Sequence, residues 1–341
     1  MNGSALVFVR RLLLLAGLVV LVAASPAAAD AAGPSDFRST ITELAPPVEG
    51  VSAEIRGGDS FLELDVDDGV EVVVVGYNGE PYLRFLPDGT VERNRWSTAT
   101  YINDDRKGAG TIPDKAQDPE TAPAWEEVGS GGTYAWHDHR IHWMSDVSPR
   151  VERGSRVGGA YDPWEVPLEV DGQAVAVRGI LTYEEAASPL PWIAAAVVAL
   201  AAVLAMGRRA PIRTASIALL AMAALGVVVG RGEFAGTPDG GANPLLWVLP
   251  IVALATAAGS VALRRKPSAV VLTLASVATL SGWALLRIKV LTKPVLPTEL
   301  PFQLDRATTA AALAVAVASA YLAVSSGALK LPELADDDTG S

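Results

Sequence analysis

Five long apolar runs after Pro191 constrain this chain more than any other feature. "WIAAAVVALAAVLAM", "TASIALLAMAALGVVVG", "PLLWVLPIVALATAAGSVAL", "SAVVLTLASVATLSGWALL" and "ATTAAALAVAVASAYLAVSSGAL" follow one another with short breaks. Each is long enough, with slight tilt, to cross about 30 Å of hydrocarbon. The expectation is a five-helix transmembrane domain over residues 190–327. A short acidic tail, 328–341, ends "ADDDTGS".

The charges between the runs predict an orientation. Arg208, Arg209 and Arg213 follow the first run, and Arg264, Arg265 and Lys266 follow the third. Basic residues flanking spans collect on the cytoplasmic side, so both clusters and the C-terminus are expected there. The loop "RGEFAGTPDGGANP" from Arg231 then falls outside. Arg287, Lys289 and Lys293 also fall outside, against the rule, with Glu299 and Asp305 after them. No ionisable side chain sits near the centre of a run, which argues against a proton pump or charge relay. The runs are rich in Ala, Gly, Ser and Thr, as close helix packing requires. A compact anchoring bundle is expected.

The N-terminus reads as a signal peptide. Arg10 and Arg11 precede "LLLLAGLVVLVAA", and Ala27 and Ala29 make a small-x-small end. Residues 1–29 are therefore expected to be removed and residues 30–189 exported. That segment holds 30 acidic and 13 basic residues, a net of −17 in a chain of net −11. So acidic a surface disfavours nucleic acid and attracts cations. The chain has no cysteine, so neither a disulfide nor a thiolate metal site is available.

Residues 30–189 read as antiparallel β. "VSAEIR", "FLELDV", "VEVVVVGY", "PYLRFL" and "TVERN" are short runs, several alternating apolar and polar, punctuated by "GGD", "DDG", "NGE" and "PDG". "EVPLEVDGQAVAVRGILTYE" reads as a hairpin about Asp171-Gly172. Tyr101 to Gly132 reads as a long polar loop, of a length that is often functional. The fold class expected is an extracytoplasmic all-β sandwich followed by the helical bundle.

All three histidines fall within "YAWHDHRIHWM": His137, His139 and His142. On a strand His137 and His139 share a face, and two imidazoles so placed can reach one ion. His142 has the wrong parity and can join only through a bulge, a turn or the strand end. Asp138 is a candidate to orient a ligand, and Met144 is a candidate soft ligand. Copper or zinc suits neutral imidazole. Two other readings stand beside metal binding. The segment can be a structural network, with Asp138 and Arg140 as an ion pair. It can also be a metal-dependent hydrolase site, with Asp138 or Asp146 as base.

"WHDHRIHWM" and "YDPWEVPLEVDG", in a secreted β domain ahead of several transmembrane helices, resemble a group of bacterial membrane proteins. The layout is also loosely similar to the CopC/CopD-type copper proteins, where a secreted β-sandwich joins a membrane bundle. That family carries a His near its mature N-terminus and polar ligands in its helices. Here the mature start is "DAAGPSDF" and the helices hold no His. With the histidine segment, the expectation is a bacterial plasma membrane protein, not an enzyme, whose exported domain handles a transition metal. A partner-binding envelope scaffold is the alternative, the bilayer and an envelope protein being the partners expected.

Overall fold

The computed structural model describes residues 33–326, apart from positions 105, 107, 109, 239–242 and 264–265. The expected signal peptide, the acidic tail and the Arg264-Arg265 pair lie outside the described residues. An N-terminal domain of two antiparallel sheets precedes five long apolar helices.

Among the described residues, eleven strands build the β domain. They are β1 (Phe37–Ala45), β2 (Val51–Arg56), β3 (Phe61–Val66), β4 (Val72–Val75), β5 (Pro81–Phe85), β6 (Val91–Asn94), β7 (Trp125–Gly129), β8 (Thr133–His137), β9 (Ser155–Arg156), β10 (Trp164–Val170) and β11 (Gln173–Tyr183). The larger sheet runs β1-β11-β10-β4-β5-β6-β7, with β9 also on β11. The smaller is β2-β3-β8. Leu62, Leu64 and Trp136 of the small sheet meet Val74, Leu83, Phe85, Trp164 and Val166 of the large one in a single buried core. That is the sandwich expected from the alternating runs. The β10–β11 hairpin turns on Asp171 (φ 48°) and Gly172 (φ 78°), a left-handed pair that suits strand twist.

Two details depart from the sequence reading. β1 was not foreseen, because "FRSTITELA" carries few apolar residues and buries only Ser39 well. The expected loop from Tyr101 to Gly132 is also not structureless. It takes in the end of a short helix α1 (Thr98–Ile102), a one-turn helix α2 (Asp114–Gln117) and strand β7.

Helices α3 (Leu190–Gly207), α4 (Pro211–Ala235), α5 (Leu245–Ala262), α6 (Lys266–Leu286) and α7 (Phe302–Ser325) are long and apolar enough to cross a membrane. Small residues set their spacing. A Cβ at Gly230 would stand 1.9 Å from the Leu246 carbonyl oxygen, so α4 and α5 meet backbone to backbone there. Trp283 of α6 closes the same place, its indole N–H donating to that carbonyl at 2.6 Å. Nearer the other end, the hydroxyls of Ser216, Ser260 and Thr273 lie 2.7–3.2 Å apart and tie α4, α5 and α6.

Ionisable groups cluster at the bundle end beside the β domain. Arg287 is buried with Asp305, both of whose oxygens accept from it at 2.6 Å, and with Glu233. Arg306 donates to the carbonyls of Val290, Lys293 and Pro294. The basic cluster that broke the charge rule is thus largely neutralised by carboxylates brought to it from other elements. The β domain sits on this end. Ser35 pairs with Val295, Arg56 bonds Glu299 at 2.8 Å, and Asp36 takes both Lys293 and Arg153.

Candidate metal centre

Strand β8 ends at His137, and this decides the geometry of the histidines. Leu62 faces Trp136 on the core side of the small sheet, whereas Phe61 faces His137 on the other side. The chain then turns, with the Ile141 N–H donating to the Asp138 carbonyl at 3.3 Å. His139 and His142 are therefore on a turn and not on a strand. The straight-strand parity argument does not apply beyond His137, and the turn folds His142 back onto it.

The turn is held by a buried ion pair. Asp138 is fully buried, and its Oδ2 accepts from Arg140 Nη2 at 2.6 Å and from Trp136 Nε1 at 2.8 Å. Its Oδ1 accepts from Arg140 Nε at 2.8 Å and from the Arg140 N–H at 3.0 Å. Burial alone would raise the Asp138 carboxyl, but Arg140 and these bonds outweigh it and hold it below the usual carboxylate value. Tyr77 completes the frame. Its hydroxyl donates to Asn103 at 2.5 Å and accepts from the His139 N–H at 3.0 Å, while its ring lies under the Arg140 guanidinium. Asp138 is therefore committed to Arg140 and Trp136. It is poorly suited to be a ligand or a proton-abstracting base. Asp146 is exposed, and Met144 is half-buried two residues beyond His142.

The three imidazoles come together. Ring centroids are 4.6 Å apart for His137 and His142, 5.1 Å for His139 and His142, and 5.5 Å for His137 and His139. One ring nitrogen from each lies within 4.8 Å of the others. Ligand atoms about a tetrahedral ion at zinc–nitrogen distances are about 3.4 Å apart, so small side-chain rotations would close the set.

The hydrogen bonds leave the nitrogens suited to this. His142 Nδ1 faces the Trp143 carbonyl at 3.3 Å, and the His137 ring bonds the Ser60 backbone. The Nε2 atoms of both rings are buried without a hydrogen-bond partner. A ring whose Nδ1–H donates to a backbone carbonyl presents a lone pair at Nε2, the form that binds metal. Burial, then Arg106, pushes His137 down to about 4 and His142 down to about 2. Both are neutral at ordinary pH.

Two neighbours of the cluster were not read from the sequence. Arg106 lies in the polar loop and bonds Asp59 Oδ2 at 2.6 Å and Ser60 Oγ at 2.8 Å. Asp59 had been seen only as part of the turn "GGD". It is fully buried, and that burial raises its carboxyl despite Arg106. Gly108 lies against His139, where an added Cβ would stand 2.9 Å from Cε1. Comparison with family models, curated proteins and solved structures finds no match for the chain.

Proposed function

We propose that the chain is a multi-pass membrane protein whose β domain binds a first-row transition metal ion, zinc or copper, through His137, His139 and His142. The observation that carries this reading is the pair of buried, unpartnered Nε2 atoms on His137 and His142, with a nitrogen of His139 beside them. A buried acceptor without a partner costs about 1–3 kcal/mol, and a metal ion removes that cost. Three neutral nitrogens suit zinc and copper over magnesium or calcium, which prefer oxygen.

The β domain is placed outside the cytoplasm in this proposal. The support is the position of Arg208, Arg209 and Arg213 at the bundle end away from the β domain. The loose resemblance of the layout to CopC/CopD-type proteins is in keeping with metal handling in an envelope compartment. The site is assigned to binding and not to a reaction, since Asp138 is locked to Arg140 and each histidine is buried.

The test is metal analysis of the full chain purified in detergent, before and after incubation with zinc or copper(II). One equivalent retained by the wild type, and lost in His137→Ala, supports the reading. A chain that takes up no ion at neutral pH returns the histidines to a structural role.

A further inference from the structure

We infer that Asp59 is the fourth ligand of the histidine centre, and that Arg106 holds its carboxylate as a resident cation until a metal ion replaces it. The inference rests on the three-histidine reading and completes its ligand set.

The placement comes from Ser60 and Arg106. Asp59 and Ser60 end the turn before β3, whose first residue Phe61 faces His137, their rings 5.6 Å apart. The Asp59 oxygens stand outside the set of ring nitrogens that lie within 4.8 Å of one another, so the side chain swings to reach an ion held there. Arg106 links the carboxylate to the histidines. It holds Asp59 Oδ2 and Ser60 Oγ, and the Ser60 backbone touches the His137 ring. Two residues on, Gly108 lies against His139. One short loop thus spans Asp59 and the histidines together.

Asp59 is half satisfied. Its Oδ2 accepts from Arg106 and from Ser35 Oγ at 3.1 Å, whereas Oδ1 is buried with no partner. A buried carboxylate, while ionised, needs a cation beside it. Arg106 supplies one, and its side chain is 29% exposed against 0% for Asp59, so the guanidinium has a route to water that the carboxylate lacks. A metal ion held by three neutral imidazoles beside that guanidinium would be repelled by it. Moving Arg106 to solvent and Asp59 onto the ion removes the repulsion and keeps the carboxylate compensated. Zinc accepts carboxylate oxygen at about 2.0–2.2 Å beside imidazole, and three histidines with one aspartate fill a tetrahedral shell. Such a shell keeps no position for water. It suits an ion that is held or sensed, not one that activates a nucleophile.

Zinc alone is the probe, titrated against a chelator into the full chain in detergent, with wild type, Asp59→Asn and Arg106→Gln compared. Asp59→Asn is expected to weaken zinc by roughly tenfold or more. Arg106→Gln is expected to tighten it, and to show a larger zinc-induced rise in melting temperature than the wild type. The opposite signs separate ligation from a merely structural ion pair, whose two partners would fail alike. Should Asp59→Asn fold poorly, Arg106→Gln decides alone, and weaker zinc binding there overturns the inference. Wild-type affinity in a folded Asp59→Asn overturns it too, while leaving the three-histidine reading intact. A wild type that binds no zinc removes both.

Discussion

Ser35 and Val295 pair as neighbouring strands do: the Ser35 N–H donates to the Val295 carbonyl at 2.9 Å, and the Val295 N–H donates back at 3.2 Å. This one bridge joins the start of the β domain to the segment between α6 and α7. The same Ser35 hydroxyl donates to Asp59. The contact between the two halves of the molecule therefore begins one side chain away from the carboxylate beside the histidines.

Gly58→Val should undock the β domain. Gly58 has φ +82°, and a Cβ there would stand 2.3 Å from Val295 Cγ1. Backbone strain of about 1–3 kcal/mol adds to the clash. The expected outcome is faster limited proteolysis within residues 184–189 and a lower melting temperature, with the zinc equivalent retained. A variant that resists protease like the wild type would show that the contact is dispensable.

Each of the three single histidine-to-alanine substitutions should abolish the metal-dependent rise in melting temperature. On a straight strand His142 has the wrong parity to share the ion, but the turn after His137 brings all three nitrogens together. Calorimetry of the three variants with and without zinc checks this. A His142→Ala variant that keeps most of the wild-type gain would restrict the site to two histidines.

Metal-free stability should fall on acidification. His137 and His142 have folded values below the ordinary 6.5, so above 6.5 neither state binds a proton and the stability is complete. Below 6.5 the unfolded chain takes up protons that the folded one refuses, and stability is lost as pH falls to about 4 for His137. His137 alone should contribute a loss on the order of 3 kcal/mol across that window. His137→Ala should flatten the profile. Because the folded rings resist protonation, competition by protons at these two ligands should also set in at lower pH than the 6.5 of a free imidazole.

Arg287→Met should be severe. It strands Glu233 and Asp305, two buried carboxylates at the ends of α4 and α7. Removing one partner of a buried charge set costs about 3–5 kcal/mol. Adding Glu233→Gln and Asp305→Asn should recover most of it, since a neutral set carries no unpaired charge. Thermal denaturation in detergent measures both steps. A mild effect of Arg287→Met alone would mean that water reaches the cluster.

Reporter fusions after Met206 should read as cytoplasmic, and one near Thr237 as external. The opposite pattern would invert the proposed orientation.

The five helices and most strands were legible because their signals are local. A run of apolar residues long enough for a bilayer, or an "Asp-Gly" between alternating runs, carries its meaning within a few positions. The histidine spacing was legible as a cluster but not as a geometry. Whether His142 meets His137 depends on where β8 ends, and that is set by the Asp138–Arg140–Tyr77 frame, whose members are 61 residues apart for Tyr77 and Asp138. Arg106 and Asp59 were out of reach for the same reason, being 47 residues apart in the chain. β1 was missed because half its surface is wet, leaving a weak alternation. The cluster about Arg287 was hidden because its two carboxylates come from two separate helices, α4 and α7, and a window along the sequence sees each as a lone charge at a helix end.

Residues 184–189 are all that separate the end of β11 from the start of α3, and within them the Ala187 N–H is bonded to the Thr292 carbonyl at 3.1 Å. So short and anchored a connection is no leash. It carries the β domain at a set height above the bundle, and any molecule that gives an ion to the histidines or takes one from them has to work at that height. If that molecule is itself held in the bilayer, the two meet by sliding in a plane and not by searching a volume. A modest intrinsic affinity is then multiplied by the local concentration that confinement to one surface supplies.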